Sequence, residues 1–201
     1  METKYYSQEQ TKEVSELLKK GGIVALPTDT VYGLGVIANN EKSINLLKKI
    51  KNRPEEKAFA YMVDSLNKIE QVCELSERDK LIIKRYLPGP FTFIFNKKKD
   101  FNLVNESNLE TLAIRIPDHP FILEVISLMD TGLYVPSANI SSQTPAITSR
   151  EVGELFDHKI DGIVMGHAFN GVSSTIVDCT SDELKILREG PIPFTWRNYE
   201  E

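Results

Sequence analysis

This sequence predicts an α/β fold built on a mixed β-sheet, and three observations support that prediction. Short apolar runs typical of strands are interspersed with amphipathic runs of helical period along the 201 residues. Their order shows neither a repeat nor a strict strand–helix alternation, which favours a mixed sheet over a purely parallel one. No linker is long enough to divide the chain, so residues 1–201 are predicted to form a single domain.

The first half of the chain is predicted to open with a helix. Ser7 and Gln10 have the spacing of a capping box before an amphipathic run, and Gly21 is suited to end that helix. The helix that follows is predicted to direct Lys48 and Lys49 toward water. Further elements of this half are strands at 23–27, 58–63 and 91–95 and helices at 41–51 and 79–86, the last ended by a Pro-Gly-Pro break.

The second half is predicted to contain shorter elements separated by polar segments. Residues 97–110 are polar and are expected to form a loop or hairpin, and residues 137–150 a long polar loop. The predicted strands are 111–116, 133–136, 160–164, 174–177 and 184–187, and the predicted helices are 121–129 and 152–156.

Composition argues against several classes of protein. The net charge of −5 disfavours an overall electrostatic grip on nucleic acid, although segment 48–57, with five basic and two acidic residues, is compatible with a local basic cleft. Cys73 and Cys179 lack a CxxC partner and the three histidines lack metal-ligand spacing, so no disulfide framework or zinc site is expected. With no apolar run near the ~18 residues of a membrane span and no secretory signal, a cytoplasmic protein is expected.

Polar residues adjoin apolar strands at several places, which indicates a ligand cleft. The clearest case is LPTDTVYGLG, residues 26–35, directly after the first strand. Ligands of open α/β sheets bind outside the strand ends, and converging hydroxyls, an amide and cations suit an anionic, polyphosphate ligand. The other segments are KNRPEEK (51–57), TLAIR (111–115), PSAN (136–139), SSTIVD (173–178) and ILREG (186–190).

Each of these segments also has an ordinary structural interpretation when taken alone. A threonine after a strand can cap a turn, and Gly33 and Gly35 can simply permit tight backbone geometry. The cations of segment 51–57 suit a solvated helix C-terminus. Arg115 is harder to explain in this way, because a charge among apolar strand neighbours needs a partner or a ligand.

The usual nucleotide-binding and hydrolase motifs are absent. There is no G-x-x-x-x-G-K-[ST] loop, and Gly33-Leu34-Gly35 lacks the third glycine of a dinucleotide fingerprint. No G-x-S-x-G elbow is present either. A bound nucleotide would therefore be held by side chains and irregular loops.

Taken in order, the segments resemble the YrdC/TsaC family of threonylcarbamoyl-AMP synthases. Each motif alone is weak, whereas the ordered set is specific and spans residues 22–192. The resemblance implies a mixed sheet curved around a basic concave cleft, in the short single-domain form of the family. The motifs are LPTDTVYGLG, K-x-R-P with a lysine four residues after the arginine, P-G-P-F-T, A-I-R-I-P-D-H-P, P-S-A-N-I-S, S-T-I-V-D and I-L-R-E-G.

The resemblance also implies an activity. L-threonine, bicarbonate and ATP, with Mg²⁺ carried by the ATP, would give L-threonylcarbamoyl-adenylate and pyrophosphate. Partner proteins would then use the product to modify an adenosine beside the tRNA anticodon. Such a nucleotidyltransferase needs no protein nucleophile and no carboxylate cluster, which agrees with the motifs that are missing.

The resemblance implies roles for individual residues. One position departs from the family: Met62 stands roughly where many relatives have a histidine, so it is left out of the site. Thr28, Thr30 and Tyr32 are expected to line one wall while Gly33 and Gly35 let the backbone turn. The implied catalytic residues are Lys51, Arg53, Ser137 and Asn139; the implied threonine-binding residues are Thr30, Arg115 and Ser174; the implied nucleotide-binding residues are Arg53, Lys57, Thr111, Ser137, Asn139 and Arg188.

Two other functions are compatible with the sequence. The first is an RNA-binding module without catalysis, supported by the basic 48–57 segment but opposed by the acidic total and the lack of aromatic residues among those lysines. The second is a carbamoyl-transfer domain, since related folds occur within larger hydrogenase-maturation proteins. The free-standing length and the lack of zinc-finger cysteines weigh against that alternative.

Overall fold

The computed structural model describes residues 2–54, 58–104 and 109–196, and within these ranges eleven strands and six helices form a mixed α/β structure. None of the helices in the described ranges is both long and apolar enough to cross a membrane. The strands are β1 (Lys4–Tyr6), β2 (Val24–Leu26), β3 (Gly33–Ile37), β4 (Tyr61–Met62), β5 (Cys73–Glu74), β6 (Phe91–Lys97), β7 (Thr111–Arg115), β8 (Leu133–Tyr134), β9 (Gly162–Val164), β10 (Thr175–Asp178) and β11 (Lys185–Arg188). The helices are α1 (Thr11–Lys19), α2 (Glu41–Ile50), α3 (Leu66–Val72), α4 (Glu77–Tyr86), α5 (Pro120–Ser127) and α6 (Ser149–Phe156).

The sheet is mixed, as the sequence predicts. Its strand order is β1-β9-β2-β3-β8-β4-β7-β6-β10-β11, with β5 paired to β6. The pairs β1–β9, β2–β9, β4–β7 and β6–β10 are parallel, and the remaining pairs are antiparallel. Strands from distant parts of the chain thus lie side by side, which brings their polar neighbouring segments together.

The period-2 alternation of β6 explains how one face of the sheet becomes core and the other becomes a cavity. Thr92 and Ile94 face the cavity. The three alternate positions carry large rings that are buried in the main hydrophobic core: Phe91, Phe93 and Phe95. Strand β7 repeats the pattern, because Ile114 lies in that core while Arg115 lines the cavity.

Helix starts follow from local capping. The Asn40 side chain accepts a hydrogen bond from Ser43 N at 3.1 Å and so caps α2. Capping boxes begin α4 and α6, formed by Ser76 with Asp79 and by Thr148 with Glu151.

The predicted capping box at the first helix is wrong. Gln10, not Ser7, is the residue before α1, and no side chain caps that helix. The Gln10 side chain instead accepts from Ser7 N at 3.0 Å, so the pair closes a turn ahead of the helix. The predicted end of the helix is confirmed by Gly21, whose φ of +88° is the left-handed conformation that glycine favours.

Several element predictions are corrected by tertiary structure. Strands β1, β3 and β5 and helix α3 were not predicted, and the strand expected over 58–63 is only Tyr61–Met62. Helix α6 begins three positions earlier than predicted, at Ser149. Lys48 was expected to face water but is buried, with its Nζ 5.8 Å from the Phe59 ring centroid.

Candidate active site

A cavity of about 270 Å³ lies on the face of the sheet opposite the phenylalanine core. Its floor is formed by β4, β6, β7 and β10, and its rim by the segments that adjoin them. Three arginines line it, and no carboxylate does so among the residues that the structure describes. The polar lining residues are Thr28, Thr30, Tyr32, Arg53, Thr92, Arg115, Ser137, Ser173, Ser174 and Arg188.

The wall between β2 and β3 is a tight turn held by its own side chains. Thr28 Oγ1 accepts from Thr30 N at 3.0 Å and donates to Val31 O at 2.7 Å. Because its single proton goes to Val31 O, Thr28 Oγ1 must accept from the Thr30 hydroxyl, which lies 3.0 Å away. Tyr32 is anchored from the opposite side, since its hydroxyl donates to Val164 O at 2.9 Å.

Arg115 closes this wall from β7 and is buried, at 4% exposure. Its Nε donates to Gly89 O at 3.2 Å, its Nη1 to Thr30 Oγ1 at 3.0 Å and its Nη2 to Asp29 Oδ1 at 2.5 Å. Burial lowers the pKa of Arg115, and the neighbouring Asp29 carboxylate opposes that shift.

These contacts fix the polarity of the Thr30 hydroxyl. Its proton goes to Thr28, and one of its two lone pairs accepts from Arg115 Nη1. The remaining lone pair makes Thr30 an acceptor toward the cavity, whereas Arg115 is a donor. Two adjacent groups of opposite hydrogen-bonding character suit a ligand that carries both a donor and an anionic acceptor, as an amino acid does.

A second polar cluster is built by β6, β10 and β11. Arg188 donates from Nε to Ser174 O at 2.8 Å and from Nη2 to Ser174 Oγ at 3.1 Å. Ser174 Oγ also lies 2.8 Å from Thr92 Oγ1. The segments at 173–178 and 186–190, 14 residues apart at the Ser174–Arg188 contact, therefore meet in one place.

A third cluster lies where α2 ends. Arg53 stacks on Phe59, with its Cζ 4.9 Å from the ring centroid, and its Nη2 donates to Ala58 O at 2.6 Å. Ser137 lines the cavity nearby and donates to Asn139 Oδ1 at 2.7 Å. The cavity thus combines a pocket suited to an amino acid with further cations and hydroxyls suited to phosphate.

Comparison with known proteins agrees with this geometry. Residues 16–190 match the family model Sua5_yciO_yrdC, described as "Telomere recombination". This chain belongs to the Sua5/YciO/YrdC family. It is 34% identical over 178 residues to the threonylcarbamoyl-AMP synthase of Pyrococcus abyssi, and this match covers 88% of the chain. A putative threonylcarbamoyl-AMP synthase of Methanocaldococcus jannaschii is 35% identical over 192 residues, which covers 93% of this chain and 90% of that protein.

A solved structure of a family member shares the fold. The crystal structure of P. abyssi Sua5 complexed with L-threonine superposes with a TM-score of 0.88 at 30% identity, covering 96% of this chain and 58% of that one. The match to the curated P. abyssi synthase likewise covers only 52% of that protein, so the chain spans about half the length of this relative. The mixed α/β fold predicted from the sequence is that of the Sua5/YciO/YrdC family.

Most of the site residues predicted for this Sua5/YciO/YrdC chain lie around one cavity. Six of them line it: Thr30, Arg53, Arg115, Ser137, Ser174 and Arg188. Met62, the position that departs from the family pattern, lines it as well and is 3% exposed. Lys57 lies outside the described residues.

Lys51 was expected to face phosphates, but the structure places its ammonium elsewhere. The side chain is 1% exposed, and Nζ donates to Ser137 O, to Asn139 O at 2.7 Å and to Asn139 Oδ1 at 3.1 Å. Its own carbonyl accepts from Ser141 N at 2.8 Å. Lys51 therefore fastens the 137–141 loop from below, because all three ammonium protons are directed to that loop. Burial, and secondarily the nearby Arg53, lower the pKa of Lys51 to about 8.

Two further predicted residues lie away from the cavity lining. Asn139 is buried beneath the loop, where it accepts from Ser137 and Lys51 and donates to Gln143 O at 2.6 Å. Thr111, at the far end of β7 from Arg115, pairs with Asn96 and does not line the cavity. Asn139 is thus placed to shape the loop that carries Ser137, and Thr111 lies outside the cluster.

Gly33 and Gly35 of the LPTDTVYGLG motif have a different role from the predicted one. Gly33 and Gly35 lie in β3 and not in a turn. A Cβ on Gly33 would overlap Val135 Cγ1, and one on Gly35 would lie 2.6 Å from Leu26 Cδ1. These positions require glycine because neighbouring strands pack against them, so the prediction of a backbone turn is wrong.

Several polar residues of the site were not predicted from the sequence. The alternation of β6, which is visible in the sequence, could have placed Thr92 on the cavity face. Asp29 and Asn170 were missed because their roles depend on long-range contacts to Arg115 and to the β2–β3 turn. His119, next to Asp118 in the A-I-R-I-P-D-H-P motif, is buried, and burial lowers its pKa while Asp29 opposes the shift.

Proposed function

We propose that this chain is a threonylcarbamoyl-AMP synthase, which converts L-threonine, bicarbonate and ATP into L-threonylcarbamoyl-adenylate, pyrophosphate and water. The observation that carries the proposal is the convergence of Thr30 and Arg115 with Arg53, Ser174 and Arg188 around one cavity. Two relatives carry this name or its putative form, and a structural neighbour was crystallised with L-threonine.

The amino acid would bind at the wall formed by Thr30 and Arg115. Described residues use three of the five guanidinium N–H donors of Arg115, which leaves one on each Nη. That pair can bind a carboxylate in a forked arrangement, the strongest geometry for an arginine. The free lone pair of Thr30 would accept from the amine or hydroxyl of the amino acid, and Ser174 would contact it from the other side.

The nucleotide would bind between Arg53 and Arg188. Both line the cavity, and Arg188 keeps three N–H donors that no described residue uses. Ser137 adds a hydroxyl at the rim, positioned by Lys51 and Asn139 from below.

Mg²⁺ would arrive with the ATP. Among the residues that the structure describes, the cavity lining offers hydroxyls but no carboxylate, and no group of three or more His, Cys, Asp or Glu side chains could hold a metal ion. These residues suit an ion held mainly by phosphate oxygens and water. The bound ion would neutralise phosphate charge.

The reaction needs orientation and charge stabilisation more than a protein nucleophile. The neutral threonine amine attacks the carbon of bicarbonate, or of the carbon dioxide formed from it by loss of hydroxide. A C–N bond forms, and the proton that leaves the amine departs with that hydroxide as water, which gives a carbamate. A carbamate oxygen then attacks the α-phosphorus of ATP, and the bond to the β-phosphate oxygen breaks as pyrophosphate leaves. The arginine side chains would stabilise the negative charge that develops on the phosphate oxygens.

Pyrophosphate release tests the proposal directly. Release should require L-threonine and bicarbonate together, and the adenylate should be identifiable by mass spectrometry. Arg53→Ala should raise the KM for ATP, and Thr30→Val should raise that for threonine by about tenfold, because each removes polar contact. Lys49→Ala, at an exposed position on α2, is the matched cation control and should behave as wild type.

The same preparation separates the alternatives. Pyrophosphate release that ignores threonine but requires carbamoyl phosphate would identify a carbamoyl-transfer domain instead. Tight tRNA binding with a steep salt dependence and no pyrophosphate release would identify an RNA-binding module. In the proposed function, tRNA is reached through partner proteins that consume the adenylate, and direct RNA contact is weak.

A further inference from the structure

Asp29 lies directly behind the cavity wall and is not one of the residues that line the cavity. We propose that Asp29 is a positioning residue that holds the Arg115 guanidinium so that its two unused N–H donors face the amino-acid pocket. The inference rests on the proposed function and deepens it, because it assigns a residue that acts on the substrate through Arg115.

Hydrogen bonds hold the backbone around Asp29. Three consecutive carbonyls of the β2–β3 turn accept hydrogen bonds from one short segment, residues 169–171. Phe169 N donates to Thr28 O at 3.4 Å, and Gly171 N donates to Thr30 O at 2.8 Å. Between them, Asn170 Nδ2 donates to Asp29 O at 2.5 Å. The main chain at Asp29 is thereby held in place.

The guanidinium of Arg115 is held on each of its three nitrogens. A planar group is fixed when donors on all three of its nitrogens are held, and Gly89 O, Thr30 Oγ1 and Asp29 Oδ1 hold one donor on each nitrogen. The Asp29 contact, at 2.5 Å, is the shortest of the three and is charge-assisted, so it is the strongest. Without this contact, Nη2 is no longer held by Asp29. The two Nη groups of Arg115 can then rotate about the Cζ–Nε bond.

One of the two carboxylate oxygens of Asp29 holds Arg115. Only Oδ1 contacts Arg115, while Oδ2 is buried and has no hydrogen-bond partner among the described residues. The positioning role therefore needs one oxygen acceptor at this point. An asparagine keeps that acceptor and loses the charge, whereas an alanine loses both. The two substitutions separate positioning from charge.

The test compares Asp29→Ala, Asp29→Asn and wild type by calorimetric titration with L-threonine and, separately, with ATP. We expect Asp29→Ala to weaken L-threonine binding about tenfold or more while ATP affinity changes less than about twofold, and Asp29→Asn to recover most of the loss. In a cycle with Arg115→Met, the variant Asp29→Ala/Arg115→Met should bind threonine no more weakly than Arg115→Met alone. Because an unpaired buried charge can prevent folding, that double variant, which removes both charges, keeps the cycle measurable.

A second readout is independent of the substrate. In ¹⁵N spectra of the arginine side chains, the two Nη signals of Arg115 should be separate in wild type and in Asp29→Asn, and should merge in Asp29→Ala as rotation is released. Merged signals in wild type, or separate signals in Asp29→Ala, would overturn the positioning role. So would equal losses of threonine and ATP affinity, or additive effects in the cycle. If wild type fails to bind threonine, the proposed function fails while the spectra still decide the role of Asp29.

Discussion

Replacing Gly33 by alanine tests whether strand packing, and not a turn, sets the wall of the cavity. The added Cβ would overlap Val135 Cγ1 and lie 3.3 Å from Pro136 O. Val135 is buried at 6% exposure, so it cannot swing into solvent, and overpacking of this kind costs about 1–3 kcal/mol. For a chain of 201 residues, each kcal/mol lowers Tm by about 2–4 °C, so we expect a fall of about 2–12 °C.

The assay is thermal unfolding of four proteins: wild type, Gly33→Ala, Val135→Ala and the double variant. Val135→Ala removes the atom that the new Cβ would meet, so the double variant should be no less stable than Val135→Ala alone. Gly153→Ala is the matched control, because its Cβ would meet only Tyr5 Oη, at 2.9 Å, at the end of an exposed side chain, and it favours helix α6. An unchanged Tm for Gly33→Ala, or additive losses in the double variant, would refute the packing argument.

Four further predictions follow from single contacts. Lys51→Met should lower pyrophosphate release about 10- to 100-fold, because the loop that carries Ser137 loses its charged anchor, whereas the exposed Lys49→Met should not. The pKa of Lys51 is about 8, and its charged form holds the loop, so turnover should fall as pH rises through about 8. In Lys51→Met, the pH profile of turnover should lack this fall. Thr148→Ala, which removes the cap of α6, should cost about 1 kcal/mol in a denaturant titration and leave both KM values unchanged. Burial raises the thiol pKa of Cys73 and Cys179 to about 12, so a thiol reagent at pH 8 should label them only when the chain unfolds; rapid labelling of the native protein would contradict their burial.

The sequence predicted those parts of the fold that depend on local pattern. Helix α2 was predicted within one residue of its end because its apolar spacing is local. Strands β6 and β7 were predicted from their short apolar runs. Their alternation, which places Thr92 and Arg115 on the cavity face, is also a local feature of the sequence. Several of the residues that line the cavity, such as Thr30 and Arg115, were predicted from motifs at polar strand ends and from the resemblance that their order carries.

The sequence could not predict features that depend on distant contacts. Strand β3 was missed because all five of its residues are buried and two are glycines, so it shows neither alternation nor strand propensity. The sequence motif predicted Lys51 as a phosphate ligand. Its hydrogen-bond partners lie 86 and 88 residues away along the chain, and only the fold shows that they are main-chain and amide oxygens. The same holds for Asp29, whose partner Arg115 is 86 residues away.

A crystal structure with L-threonine, Mg²⁺ and a non-hydrolysable ATP analogue tests the central claim most directly. The account predicts the threonine carboxylate on Arg115, its amine or hydroxyl within hydrogen-bond distance of Thr30, and the phosphates between Arg53 and Arg188. Threonine and nucleotide bound at separate surfaces, or a nucleotide that leaves this cavity empty, would contradict it.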